Sequence, residues 1–545
     1  MKEKEIENIR NVKDLREVFT NLFPTFYEKE NKLNILSFCF YRVNCVENLK
    51  SYTPFVKIND DYYKSKFLAK NGIFRIKIRN YMYYFNVYKC QISKEKLVNY
   101  NPQNLIKFSF KKQSKEIIMP VVYNLIHYKR YSGFTSKVFN INEDLVCYFR
   151  QAKLNSIALT VRKHNKTDLV KNRIKIFLAK VLSLVTLPKN CILLYEKEAN
   201  KYEESASVVY EKLIDLGYKN CYYIINNDSR HISFIKDKYK KNIIYAHTFK
   251  HYYYFFKCHK FIGTETVPHS IELRVANKFV TRKFIKKDYK QVFLQHGVMY
   301  MIALDSKSRS GFRKNGNEMS KDAKIVVSSK KERDHFIELG GFSKEDLYVT
   351  GLPFYDRTTR KDNANKIVIM PTWRSWDYNV LISNYKDASY YKFCKKILEN
   401  IPSRYKKNVI LLPHPLIIDK LKRTDLNSWI PDVLSYDKIL EDTELLITDY
   451  SSIAYSAFYR GAKVIFCWDE LEKCMEKYNS HLMLNEKNCF GDITYNCKNL
   501  AKLIEKNYFV PQKDEYIKKY REIVEFHDNK NTERLIKCLK KDNII

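Results

Sequence analysis

Residues 444–468 read ELLITDYSSIAYSAFYRGAKVIFCW. Leu445–Thr448 is a short apolar run that suits a buried strand, and Lys463–Trp468 is another. Between them, Ser451 and Ser452 can cap a helix that starts near Ser451. Strand, helix, strand is the rhythm of a parallel sheet covered by helices.

The same rhythm extends outward in both directions. Upstream, from about Asp168, come the runs CILLYEK (191–197), NCYYII (220–225), FIGT (261–264), VFLQHG (292–297) and KIVVSS (324–329), with ESASVVYEKLIDLG (204–217) as a helix between the first two. A second unit begins near Asn365, with strands KIVIM (366–370), NVILL (408–412), LLIT (445–448) and KVIFCW (463–468). The expected fold class is therefore α/β: two Rossmann-type lobes with a central cleft, over residues 168–350 and 351–511. A charged helical tail, 512–545, is expected to cross back onto the first lobe. Residues 31–165 differ, with β-branched and aromatic runs such as NILSFCFYRV (34–43) and FRIKIRNYMYYFNVYKCQI (74–92) separated by turn residues. They predict an antiparallel, β-rich module. Residues 1–30 predict a helix with Leu15, Val18, Phe19 and Leu22 on one face.

Each distinctive polar motif falls at the carboxyl end of an expected strand, where ligands bind in open parallel sheets. Gln295-His296-Gly297 follows VFL, Pro371-Thr372-Trp373-Arg374 follows KIVIM, Pro413-His414-Pro415 follows NVILL, and Asp449-Tyr450-Ser451-Ser452 follows ELLIT. A helix start with two hydroxyls is suited to phosphate. His414 lies between two prolines, which stiffen its turn and aim the ring. Arg374 can give charge-assisted bonds to phosphate. Gly297 permits close backbone approach beside His296, which is placed like a general base that Gln295 can orient. Thr264 and Glu265 end another strand and can hold an acceptor or cap a helix. Glu196, Tyr202, Glu203 and Ser205 stand at one more strand end.

Composition narrows the class of partner. The formal net charge is +37, which favours anions: phosphorylated ligands, anionic lipid or nucleic acid. Heavy use of Lys, Asn, Ile and Tyr supplies an incidental source of the same charge. No nucleic-acid module is recognisable, so none is expected to bind. The 13 cysteines include no CxxC pair and read as buried thiols of a reducing compartment. No metal-ligand spacing recurs, so no obligatory metal is expected. The charged first residues do not read as a signal peptide, and no apolar run reaches the ~20 residues that span a bilayer. Ile174–Leu187 comes nearest; it reads as a buried or amphipathic helix, or as one lying in a membrane surface.

QHG, MPTWR, PHP and TDYSS, in this order, resemble the signatures of the CDP-glycerol glycerophosphotransferase family, which builds teichoic acids and related capsule polymers. The resemblance runs from about Ile192 to Leu539. It implies a GT-B-type fold, His296 as base for the acceptor hydroxyl, His414 as a phosphate contact, and Asp449–Ser452 at the donor diphosphate. It further implies a CDP-polyol donor, a lipid-linked or polymeric acceptor, and a cytoplasmic place on the inner face of an anionic membrane. The sequence departs from the family pattern at Gln295, where Trp is usual, and in VMYMIALD (298–305) after the glycine. Asn529 stands where the family has a glycine near its C-terminal arginine, which matches Arg534. A GT-B glycosyltransferase using a nucleotide sugar is the alternative reading.

Overall fold

A computed structural model describes residues 19–42, 52–68, 74–78, 81–98, 100, 104–113, 115–119, 135–152, 157–186, 190–316, 319–377, 380–381, 384–414, 417–432 and 436–545. The chain forms two compact units. One comprises residues 1–186 with 247–253 and 272–287; the other comprises 187–246, 254–271 and 288–545. The division thus falls after Thr186, and the two parallel sheets and the C-terminal tail share one unit.

The first unit holds an 11-stranded antiparallel sheet. Its central path runs from the edge strand Phe19–Lys29 through Lys32–Arg42 and Tyr81–Ser93 to Asp61–Phe67, Thr53–Ile58 and Asn104–Lys112. Alternate residues face a core that includes Leu33, Ile35, Val56, Ile58, Ile92 and Phe149, the period-2 pattern of a half-buried strand. The Phe26 ring stacks on Phe149 of a distant strand at 3.7 Å, so the sheet curls over its own apolar face.

The helix expected over 1–30 is, where described, the strand Phe19–Lys29; Leu15 and Val18 lie outside the described residues. Leu22 and Phe26 are four apart, an interval that helix and strand periods share. Pairing with Lys32–Arg42 decides for strand. Glu30 and Asn31 turn the hairpin with φ of 54° and 55°, the left-handed pair a two-residue turn needs. Pro24 is tolerated because this strand lies at the sheet edge.

The helix Val170–Val185 ends the first and longest stretch of this unit's chain. It buries only Asn172, Ile176 and Ala179, while Ile174, Phe177, Leu178, Leu184 and Val185 stay exposed. Its start is anchored by a bidentate Arg162–Asp168 pair at 2.6 and 2.8 Å. Among the described residues, no helix is long and apolar enough to cross a membrane.

The second unit is α/β with two wholly parallel sheets. In the seven-stranded sheet the order is Ile243–Tyr245, Cys221–Ile225, Ile192–Tyr195, Lys260–Gly263, Lys290–Phe293, Lys324–Val327, Leu347–Val349. In the five-stranded sheet it is Val409–Leu411, Lys366–Ile369, Thr443–Thr448, Lys463–Cys467, Asp492–Thr494. Chain order reverses between Ile192–Tyr195 and Lys260–Gly263 in the first, and between Lys366–Ile369 and Thr443–Thr448 in the second. These are the switch points at which doubly wound sheets open a ligand crevice. The strands that sequence reading missed, Ile243–Tyr245, Leu347–Val349 and Asp492–Thr494, are three-residue sheet edges; Val409–Leu411, a fourth edge of the same length, shows because Leu412 lengthens its apolar run.

The tail helices Asp514–Ile523 and Asn531–Lys541 dock on elements of the first parallel sheet. Ser328 Oγ donates to the Ile523 carbonyl at 2.6 Å, and Asp356 accepts from the backbone of Asn531 and Thr532. Cys191, read from sequence as a buried thiol, is instead disulfide-bonded to Cys258. Each sits just before one of the two strands that flank the first switch point, and the register of that pairing brings them together.

Candidate active site

At the first switch point, packing places the carboxylates. Tyr195 lies under Gly263, where an added Cβ would stand 2.5 Å from the ring, so only glycine fits. The Tyr195 hydroxyl then donates to the Glu265 carbonyl at 3.0 Å. The Glu265 carboxylate faces His296 Nδ1 at 3.5 Å and His269 Nε2 at 3.9 Å. The His296 side chain is 52% exposed. With Nδ1 turned to the carboxylate, Nε2 is the nitrogen left for a ligand hydroxyl, an arrangement suited to taking a proton.

His296 rides on a strained turn. Gln295 before it has φ +58° and is fully buried. Gln295 Nε2 donates to the Val326 carbonyl at 2.6 Å, and its Oε1 accepts from the Met299 N–H at 3.1 Å. Its expected role in orienting His296 is therefore corrected: Gln295 holds the loop, and Glu265 faces the ring. A Cβ at Gly297 would stand 3.3 Å from Ser452 Oγ, so the His-Gly turn lies against the Ser-Ser turn of the second sheet.

A second carboxylate group lies beside the first. Thr264 Oγ1 donates to Glu204 Oε2 at 2.7 Å, and Lys201 Nζ donates to Glu204 Oε1 at 2.9 Å. Burial works to raise Glu204, but Lys201, His296 and Thr264 together hold it below the usual carboxylate range. Buried Glu196 accepts the Glu203 and Ser207 N–H groups at 3.0 and 2.9 Å. Burial first, then Glu204, pushes it up to about 7. Tyr202 and Ser205 are core residues, and Glu203 pairs with Lys201 at 3.3 Å.

At the second switch point the motif loops lace each other together. Asp449 Oδ1 accepts from Thr372 N at 2.8 Å and Thr372 Oγ1 at 2.6 Å. The Arg374 guanidinium is 2.6 Å from Glu470, lies over the Phe393 ring at 4.9 Å, and is 1% exposed. Arg374 and Asp449, expected at the donor phosphate, are thus enclosed beneath the loops. Burial raises Asp449, against the pull of Thr372 and Arg374.

Ser451 and Ser452 remain half-buried at the start of the helix Ile453–Tyr459. Ser452 makes no capping bond; its hydroxyl is directed toward Gly297. His414 is half-buried, with its ring nearly parallel to Trp373 at 6.2 Å; Pro415 lies outside the described residues. Burial, then the charges of Lys197, His296 and Lys201, pull His414 down to about 4, so its ring is neutral at pH 7. Arg534 pairs with Asp528, donates to Asn531, and lies over Phe526 at 4.1 Å. It closes its own C-terminal turn and does not join this group. Lys201 and Glu204 were missed in the sequence; the one signal was a run of charges, KEANKYEE (197–204), at a strand end.

Two parallel sheets with polar motifs gathered at both switch points define a class, the α/β proteins that hold a ligand outside their strand carboxyl ends. Residues 177–541 match the family described as CDP-Glycerol:Poly(glycerophosphate) glycerophosphotransferase. The match covers more than half of the chain, and the protein belongs to that family. It is similar to the minor teichoic acid biosynthesis protein GgaB of Bacillus subtilis (strain 168), with 25% identity over 381 residues. That match takes in 64% of this chain and 39% of the relative's length. Among solved structures, the wall teichoic acid polymerase TagF is similar at 16% identity, over 68% of this chain and 96% of that one, with a TM-score of 0.47.

Proposed function

We propose that this protein is a transferase that moves a polyol phosphate, glycerol phosphate foremost, from a CDP-activated donor to a hydroxyl of a cell-surface polymer or its lipid-linked precursor. Family membership supports the reaction class. The single observation that carries the site is the exposed His296 ring, backed by Glu265 and seated against the Ser452 turn. The two parallel sheets are read as the two lobes of a GT-B-type enzyme with the ligand in the cleft between them.

In this reading the acceptor oxygen attacks the phosphorus that bears the polyol. A P–O bond forms, the bond to the bridging oxygen breaks, and CMP departs with that electron pair. His296 Nε2 takes the acceptor proton, and Glu265 stabilises the resulting imidazolium. His414 and the Ser451 and Ser452 hydroxyls hold the diphosphate as it gains charge. Positioning and charge stabilisation account for the catalysis. No protein-held metal is needed, and any Mg²⁺ travels on the nucleotide.

The test is to incubate the purified protein with CDP-glycerol, CDP-ribitol and nucleotide sugars, with and without EDTA, alongside a lipid-linked acceptor. CMP release that survives EDTA is expected. Release of a nucleoside diphosphate from a nucleotide sugar instead would replace this reading with a glycosyltransferase.

The acceptor chemistry suggests work at the inner face of the cell membrane, for a wall or capsule polymer. The helix Val170–Val185 supports it, with exposed apolar residues beside Lys171, Arg173, Lys175 and Lys180 and no acidic residue. Between it and the helix Lys278–Lys286 lies a groove of about 500 Å³ that includes Phe177 and Phe279. Basic residues add roughly 1 kcal/mol each at an anionic surface. Flotation with anionic vesicles is expected to exceed that with neutral ones and to weaken with salt. Equal flotation with both would exclude the electrostatic account.

A further inference from the structure

The loop Glu196–Glu204 leaves the first strand of the first switch point, where a ligand crevice is expected. Its backbone is strained: Glu198 and Ala199 both have φ of 53°. Asn226 maintains that shape, its Nδ2 donating to the Glu198 carbonyl at 3.0 Å and to Asn200 Oδ1 at 2.7 Å, and its N–H to the Ala199 carbonyl at 2.6 Å. Strain held this firmly is a mark of a functional loop. The loop carries two cations. Lys201 Nζ stands 5.9 Å from the Tyr436 ring centre, and the Tyr436 hydroxyl donates to the Pro413 carbonyl at 2.6 Å. Lys201 therefore reaches the His414 turn of the other sheet. Lys197 acts on the same turn, since its charge is the largest influence on His414 after burial. Lys201 Nζ donates to Glu204 Oε1 at 2.9 Å and is ion-paired with Glu203 at 3.3 Å, which leaves donor capacity for a further acceptor.

We propose that this loop is the first sheet's half of the donor site: Lys201, supported by Lys197, takes a diphosphate oxygen at the His414 turn, and Glu204 holds Lys201 until that anion arrives. The inference rests on the CDP-donor reading above. It predicts opposite signs for two neighbouring changes. Removing the cation weakens anion binding, whereas neutralising its holding partner strengthens it; damage to the fold would weaken both.

Calorimetry on the full chain with CDP and with inorganic pyrophosphate tests this. Lys201→Ala is expected to raise the CDP Kd about tenfold or more. Lys201→Arg should stay near wild type, and Glu204→Gln should bind CDP more tightly. Thermal melting of each variant separates loss of fold from loss of site. Wild-type affinity in a folded Lys201→Ala, or weakened binding in a folded Glu204→Gln, overturns the proposal, as does a wild-type protein that binds neither probe. Lysine-dependent binding of pyrophosphate without CDP keeps the anion loop and overturns the nucleotide-donor reading instead.

Discussion

At the edge of the first parallel sheet, His296 stands half in solvent with Glu265 behind it. At the corresponding edge of the second, Arg374 and Asp449 are each 1% exposed and turned toward neighbouring loops. Both edges are switch points, and both carry polar motifs of the same residue types. The first presents a titratable ring to a ligand. The second uses its strongest charges to fix loop shape and leaves the softer groups, His414, Ser451 and Ser452, half-buried. A motif residue can thus serve a site by touching the ligand or by building the surface that does, and burial separates the two.

Three predictions test that contrast, the largest effect first. His296→Ala should lower turnover by ~10²–10⁴-fold, the usual general-base contribution, while CDP binding by calorimetry stays intact. Retention of more than about a tenth of the wild-type rate would break the assignment of the first edge.

Arg374→Ala and Asp449→Ala should act on stability before chemistry. Removing one member of a buried charged group costs about 3–5 kcal/mol, read by urea unfolding. His414→Ala and Ser452→Ala should leave the unfolding midpoint nearly unchanged and weaken donor binding about tenfold each, the scale of one hydrogen bond to a charged group. The reverse pattern would mean that the enclosed pair, and not the half-buried one, meets the ligand.

The smallest reading is a difference in slope. Glu196 is raised to about 7, so its contribution to stability is present at low pH and is lost as pH rises from its ordinary 4.5 through about 7. His414 is lowered to about 4, so it destabilises the fold as pH falls from 6.5 toward 4. Subtracting the stability profile of Glu196→Gln from wild type should give a falling curve over pH 4.5–7. Subtracting that of His414→Ala should give a rising curve over pH 4–6.5. Two curves of the same sign would remove the electrostatic distinction between the edges.

Much of this was legible without coordinates, because it is local. Strand and helix follow from the period of apolar residues. Eight of the parallel strands are longer than three residues and carry apolar runs of their own, and Val409–Leu411 shows because Leu412 lengthens its run; their polar motifs sit at strand ends whatever the packing. The edge strands Ile243–Tyr245, Leu347–Val349 and Asp492–Thr494 were illegible because three residues show no period and no longer apolar run carries them. The stretch 19–29 was misread because Leu15, Val18, Phe19 and Leu22 carry helical spacing, and only the hairpin partner overrides it.

Local order along the chain sets the alternation of elements, the parallel class of fold, and the motif positions that include His296, His414 and Ser452. Which side chains meet follows from packing between distant segments. Glu204 and Thr264 are 60 residues apart, Cys191 and Cys258 are 67 apart, and Asp449 and Thr372 are 77 apart. Strand order sets each of these neighbours, and no local periodicity encodes strand order. Exposure is decided the same way: Arg374 and His296 read alike as polar groups at a strand end, and only the packing of Phe393 and Glu470 around Arg374 encloses one while leaving the other open.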